Sequence, residues 1–166
     1  MNMIFRRRSI RRYTGEEVSS PMVEKLLKAG MCAPSAGNER PWHFIVVRDK
    51  GKLGELAGMG PYAKMAADAA VVIAVCGDLD LEKHKGFWVQ DCAAATQNIL
   101  LEAEELKLGA VWLGVYPVPD RVDFLKKAFC LPESVIAFAL IAIGHPAEKK
   151  ECVERYDGSR IHREKW

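Results

Sequence analysis

Apolar residues recur along this chain at two periods, and the alternation between those periods predicts most of its elements. Val23, Leu26, Leu27 and Met31 keep the spacing of a helix face. They follow Ser19-Ser20-Pro21, where a serine N-cap and a proline in the first turn mark a helix start. The segment Ala33-Pro34-Ser35-Ala36-Gly37-Asn38 breaks that helix. After Pro41-Trp42, residues 43–48 are dominated by Phe, Ile and Val and read as a strand. Residues 50–59 and 61–67 read as short helices, and 70–76 as a buried strand. A long helix is expected over 87–108, stopped by Gly109, then a strand over 110–115, a helix over 120–129 and a last strand over 135–143. The tail from 147 to 166 is charged and has no period.

Glycine and proline fall between the periodic segments, and no repeat or low-complexity linker is present, so residues 1–166 read as a single domain. Apolar strands interleaved with helices predict an α+β class, an α/β sandwich around a mostly buried sheet. The long helix adds a second expectation. Between Trp88 and Leu101 its only formal charge is Asp91, and apolar residues such as Val89, Cys92, Ile99, Leu100 and Leu101 fall on nearly every side. A helix apolar all round is normally buried all round. A domain of this length rarely surrounds six turns with its own chain, so the helix is expected at a two-fold subunit interface. A central core helix in a monomer is the alternative.

Composition narrows the class of protein. Hydrophobic residues make up 49% of the chain and charged residues 28%, which excludes a disordered tail protein. Five cysteines, odd in number and without a C-x-x-C pair, exclude a disulfide scaffold and fit a reducing cytoplasm. With 24 Lys and Arg against 22 Asp and Glu, the net charge of +2 argues against a surface built throughout to grip nucleic acid. Any strong anion site must be local. Arg6, Arg7 and Arg8 follow Phe5 at once, leaving no apolar core for a signal peptide, and the least charged runs, 69–77 and 135–144, are too short to cross a bilayer. No membrane association is expected.

Familiar catalytic motifs are absent. There is no G-x-x-x-x-G-K-[ST] loop, no G-x-G-x-x-G after a strand and no G-x-S-x-G elbow. His43, His84, His145 and His162 are scattered, so no metal site is expected. Three other segments carry chemistry. Arg6-Arg7-Arg8-Ser9-Ile10-Arg11-Arg12-Tyr13 packs five guanidiniums into seven residues. On a helical turn Arg7, Arg8 and Arg11 would share a side, and with the Ser9 hydroxyl and N–H they would suit a phosphate. A solvated basic arm touching RNA or an acidic partner is the other reading, against which Ile10 and Tyr13 offer inward apolar punctuation. The second segment is the Pro34–Asn38 loop, small enough in side chain to approach a flat ligand. The third is Trp112-Leu113-Gly114-Val115-Tyr116-Pro117, at the end of a buried strand, where ligands of sheet proteins tend to sit.

Taken in order, R-R-S-I-R, A-P-S-A-G-N-x-x-P-W-H-F, the helix from Gln90 to Leu101, V-W-L-G-V-Y-P, the Gly144-His145-Pro146 exit and the later Arg155-Tyr156-Asp157 resemble the FMN-dependent nitroreductase family in its short, single-domain form. The resemblance covers almost the whole chain. It implies a central mixed sheet flanked by helices, with a long interface helix, and homodimers whose active sites are shared between subunits. It implies FMN as cofactor, NADH or NADPH as electron donor, and a nitroaromatic, quinone or similar small molecule as acceptor, reacting in turn over one ring.

Carried over residue by residue, the resemblance puts Arg7 and Arg8 on the FMN phosphate, Ser9 on the phosphate or ribityl chain, and Arg11 near the pyrimidine edge of the flavin. Pro34, Ser35, Ala36 and Asn38 would line the ring and ribityl chain from the second subunit. Leu113 and Gly114 would face the flavin, and Arg155 would be the second phosphate clamp. No side chain need act as nucleophile or base, because the flavin carries the chemistry. Two departures stand out: Arg40 replaces the glutamine often found before Pro-Trp, and the chain is too short for the inserted helices that cover longer members. Tyr62, Phe87 and Trp88 are then the candidates to stack over the ring. A non-enzymatic module using the arginine cluster for RNA or an acidic partner is the alternative function.

Overall fold

Strand β2 (Val71–Asp78) is the spine of the molecule, buried along almost its full length, with β1 (Trp42–Val47) on one side and β4 (Val135–Gly144) on the other. β3 (Gly109–Gly114) closes the order β1-β2-β4-β3. The structure is a computed structural model that describes residues 2–166. All four strands pair antiparallel. The parallel element of the expected mixed sheet is confined to a single bridge, Ser9 to Ala110, at the β3 edge. The α+β class holds.

Period-two alternation sorts the strands between two cores. Val71, Ile73 and Val75 join a cluster with helices α2 (Ser20–Met31) and α4 (Trp88–Glu105). Val72, Ala74 and Cys76 join a second cluster with α3 (Lys50–Ala57) and α5 (Pro119–Phe129). The sheet is therefore covered on both faces, which explains why its strands read as apolar runs in the sequence. The register between β2 and β4 shifts at Val75/Cys76: Val75 faces Ala139 and Cys76 faces Ala137. Phe138 is the extra residue, and it turns into the first cluster, edge-on to Trp88 and Trp112.

Helix α4 packs one side on the first face of the sheet. The protomer itself buries Trp88, Asp91, Cys92, Ala95, Thr96, Ile99, Leu100 and Ala103. Gly30 of α2 lets the two helices close up; a Cβ there would come within 3.0 Å of the Ile99 side chain. What remains outward is a narrower stripe, with Gln90 and Gln97 exposed and Val89, Ala93, Ala94 and Leu101 half-buried. Residues 61–67 hold only a short 3-10 turn, Lys64–Ala66, rather than a helix. Among the described residues, no helix is long and apolar enough to cross a membrane.

The chain ends are joined at the free edge of β3. Helix α1 (Met3–Arg6) stops after one turn, and the arm beyond it runs along the sheet edge, Ile10 N–H donating to the Ala110 carbonyl at 3.0 Å. Tyr13 bridges Pro146, and the Ala147 N–H donates to the Arg12 carbonyl at 2.9 Å. The tail is thereby led back over the N-terminal arm.

Candidate functional site

The five arginines do not share a helical turn. Helix α1 ends at Arg6, Arg7 caps it with φ −49° and ψ 129°, and the arm continues extended to Tyr13. The reason is the open edge of β3: its unpaired backbone groups take the arm as a partial strand, so successive arginines point different ways. The consequence is two anion-seeking places along one arm.

The first is a cleft of about 700 Å³ lined by Ile4, Phe5, Arg7, Arg8, Cys152, Val153, Glu154, Arg155 and Tyr156. Arg8 is anchored here: its Nε donates to the Glu151 carbonyl at 2.8 Å, and one Nη to the carbonyls of Phe5 and Arg7 at 2.9 and 2.7 Å. Its other Nη is buried with no partner. Burial, followed by the charges of Arg155 and Arg8, lowers the pKa of Arg7, against partial support from Glu104. Among the described residues no carboxylate forms an ion pair with Arg7, Arg8 or Arg155. Glu154 lines the same cleft, but its carboxylate accepts from the backbone N–H groups of Arg155 and Tyr156. Three guanidiniums gathered without an ion-paired carboxylate, one carrying a buried and unused donor, are a donor set suited to a phosphate dianion.

The second place is a cavity of about 280 Å³ lined by Arg11, Tyr62, Met59, Met65, Trp112, Leu113, Gly114 and Arg121, among others. Arg121 donates to the Gly114 carbonyl at 2.8 Å, fixing the end of β3. A Cβ on Gly114 would meet nothing within 4 Å, so the cavity is open above that backbone. Arg8 of the cleft and Arg11 of the cavity are three residues apart in the chain, at most roughly 10 Å of backbone.

Not every expected residue arrives there. Ser9 is engaged in the β3 bridge, its carbonyl accepting from Lys150 Nζ at 2.6 Å, and lines neither the cleft nor the cavity. Pro34, Ser35, Ala36 and Asn38 lie elsewhere, at the start of α4: Ala36 N–H donates to Asp91 Oδ1 at 3.0 Å, and the Ser35 hydroxyl accepts from the Arg40 N–H at 3.0 Å. Neither lining includes any of them. Trp88 is no lid; it is 6% exposed, packed over Gly77 and edge-on to Tyr116 at 4.8 Å. Tyr62 and Phe87 are exposed, but only Tyr62 lines the cavity. Residues that sequence reasoning passed over are Phe5, Cys152 and Tyr156 in the cleft and Arg121 in the cavity. Tyr156 stands beside Arg155 in the Arg155-Tyr156-Asp157 segment that carried the resemblance, whereas Phe5, Cys152 and Arg121 had no motif to single them out. Among the described residues there is no cluster of metal-ligating side chains.

The chain is similar to known proteins along almost its whole length. A curated relative from Methanothermobacter thermautotrophicus, provisionally named NADH dehydrogenase/NAD(P)H nitroreductase, is 53% identical over 160 residues, covering 96% of this chain and 84% of its own. A crystal structure provisionally named NADH oxidase, from Clostridium acetobutylicum, superposes with a TM-score of 0.97 at 43% identity, covering 99% of this chain and all of the other. A provisionally named nitroreductase of Desulfovibrio desulfuricans, solved in complex with FMN, matches with a TM-score of 0.87 at 37% identity, over 99% of this chain and 95% of its own. The model of the nitroreductase family matches residues 4–67 and 55–145, a span that takes in the arginine arm, the Pro34–Asn38 loop and the end of β3. On these grounds the chain belongs to the nitroreductase family.

Proposed function

We propose that this protein is an NAD(P)H-dependent oxidoreductase that binds FMN, acts on a nitroaromatic, quinone or similar small acceptor, and works as a homodimer of one-domain subunits with shared sites. The observation that carries the reading is the convergence of Arg7, Arg8 and Arg155 from opposite ends of the chain in one cleft without an ion-paired carboxylate. The relative solved with FMN supports the same ligand.

The residues present fit that cofactor. Arg7 and Arg155 would hold the phosphate, and Arg8, already tied to the backbone, would offer its buried free Nη. Arg11, with Leu113 and Gly114, supplies a cation and an open backbone at the ring end. FMN, when bound, supplies the hydride chemistry. Arg11 would place a cation beside the ring, where it would favour the negative charge of the reduced form. The apolar walls of the cavity, Trp112, Leu113 and the two methionines, restrict water at the same place.

Pro34, Ser35, Ala36 and Asn38 would serve the site of the partner subunit, which accounts for their distance from the arginines within one chain. Ser9 would act through its backbone placement. Large exposed apolar side chains support an apposed second copy: Phe5 is 65% exposed, Tyr62 76% and Tyr156 76%.

Purified protein is expected to bind FMN with a yellow absorbance that bleaches on adding NADH or NADPH. Arg7→Ala and Arg155→Ala should each remove charge-assisted bonds worth roughly 1.5–3 kcal/mol, lowering FMN affinity by about 10- to 150-fold. Equilibrium titration of flavin fluorescence measures this. Unchanged affinity in both variants overturns the phosphate assignment. Colourless protein that takes up no FMN but binds RNA in a salt-sensitive way would favour the binding-module alternative.

A further inference from the structure

Glu39 and Asp91 are the buried carboxyls among the described residues, 7% and 4% exposed. Each is engaged through one oxygen. Asp91 Oδ1 accepts from the Ala36 N–H at 3.0 Å, and Glu39 Oε2 accepts from the N–H groups of Lys83 and His84 at 2.6 and 2.9 Å. The remaining oxygens, Glu39 Oε1 and Asp91 Oδ2, are buried and have no donor. The titratable groups around the pair are Glu82, Lys83 and His84, from the connection preceding α4, and Cys92 on the helix itself. No lysine or arginine among the described residues forms an ion pair with either acid. The two carboxyls are within hydrogen-bond reach of one another, and buried side by side they would repel if both were charged. One proton held between them satisfies both.

We infer that Glu39 and Asp91 share a proton, and that this proton fixes the Pro34–Asn38 loop in the shape it presents to the FMN of the partner subunit. The inference rests on the reading that the loop belongs to that site. The pair joins three segments: the loop through Ala36 and Glu39, the connection through Lys83 and His84, and α4 through Asp91. A second clamp lies on the loop itself. Gly37 sits at φ +52° under the His84 ring, where a Cβ would come 2.5 Å from Nε2. Glu39 and Asp91 are positioning residues; neither lines the arginine cleft.

The charges of the two acids are unequal. Burial raises the Asp91 pKa, and Glu39 and Glu82 raise it further, against the Ala36 N–H. Burial pushes Glu39 the same way, but the His84 and Lys83 N–H groups and the Asp91 proton prevail, leaving its pKa lowered. Asp91 thus contributes stability that is present at low pH and is lost as pH rises through its folded-state pKa. Glu39 contributes stability present above the ordinary glutamate range and lost as pH falls through its lowered pKa. The clamp is intact between those limits and opens as pH rises through the raised Asp91 pKa.

The test uses the full-length protein without added flavin first. Amide hydrogen exchange at Ala36, Lys83 and His84, followed across pH, should show protection that falls in the wild type as pH rises through the Asp91 pKa. Asp91→Asn should keep that protection and remove its loss at higher pH, because an amide donates to Glu39 at every pH. Asp91→Ala should lose protection at the pH where the wild type is protected and weaken FMN binding there at least ten-fold, while Asp91→Asn binds FMN like the wild type at that pH. If Asp91→Ala does not fold, the pH profiles of the wild type and Asp91→Asn decide alone. Identical pH profiles, or Asp91→Asn behaving like Asp91→Ala, overturn the shared proton. If Asp91→Ala loosens the loop but leaves FMN affinity unchanged while Arg7→Ala still weakens it, the positioning role falls and the FMN reading stands. Failure of the wild type to bind FMN overturns both.

Discussion

A single guanidinium shows how little residue identity says about role until its neighbours are known. Arg6, Arg7, Arg8 and Arg11 lie within one short basic run. Arg6 pairs with Glu104 at 3.2 Å on the flank of α4. Arg7 faces Arg155 and Arg8 without a carboxylate partner, and Arg11 opens into a different cavity. Only the unpaired ones can take an anion without first breaking an ion pair. Gly114 is a second case. Since a Cβ there meets nothing, a larger side chain fits the protein but occupies the space above the end of β3. Gly114→Leu is therefore expected to fold with a melting temperature near the wild type and to lose FMN affinity by ten-fold or more. Calorimetry paired with a flavin titration separates the two effects; retained affinity would remove Gly114 from the ring site. The buried cysteines differ again. Burial pushes the Cys76 thiol up to about 12, and Cys92 higher still, so both are packing residues rather than nucleophiles at neutral pH.

At the level of the element, α4 separates two apolar faces that a helical wheel superimposes. Leu100 is 4% exposed and belongs to the chain's own core, whereas Leu101, the next residue, is half-buried on the outward stripe beside Gln97. Leu100→Glu would bury an unpaired charge and cost on the order of 4 kcal/mol. It should unfold the subunit rather than merely separate two subunits. Leu101→Glu leaves the core intact and is the substitution that addresses assembly. Sedimentation of Leu101→Glu is expected to show a folded monomer with weakened flavin binding. A stable dimer with normal flavin content would place the interface elsewhere.

Across the whole molecule, the two chain ends matter together. The arm and the tail are both short of regular structure, and each is held by the other: Arg8 to the Glu151 carbonyl, Lys150 to the Ser9 carbonyl, Tyr13 to Pro146. Removing residues 151–166 should take Arg155 from the cleft and free the Arg8 Nε, while the sheet and both cores stay in place. The truncated protein is expected to keep its far-ultraviolet circular dichroism and lose FMN. If it retains FMN, the tail plays no part in the cleft. Shared sites would also make flavin retention depend on protein concentration, since dilution that parts the subunits exposes the cofactor.

Element order, the α+β class and the two-sided burial of the sheet were legible from periodicity, because apolar spacing reports which side of a strand or helix avoids water and does so locally. The arginine arm, the Pro34–Asn38 loop and the end of β3 were legible as chemistry for the same reason: their residue types are unusual for a turn or a strand end. Asp91 also left a trace, as the one charge in an otherwise uncharged stretch of helix, although nothing nearby in sequence pointed to Glu39. The meeting of Arg7 with Arg155 was decided by the fold. An unpaired sheet edge drew the N-terminal arm out of helix and brought the tail back across it, and that pairing depends on backbone hydrogen bonds over a separation that no local pattern encodes. The side of α4 facing outward was settled likewise by the fit of Gly30 against Ile99. Close packing chooses between two apolar faces by shape, a property that exists only once the helices have met.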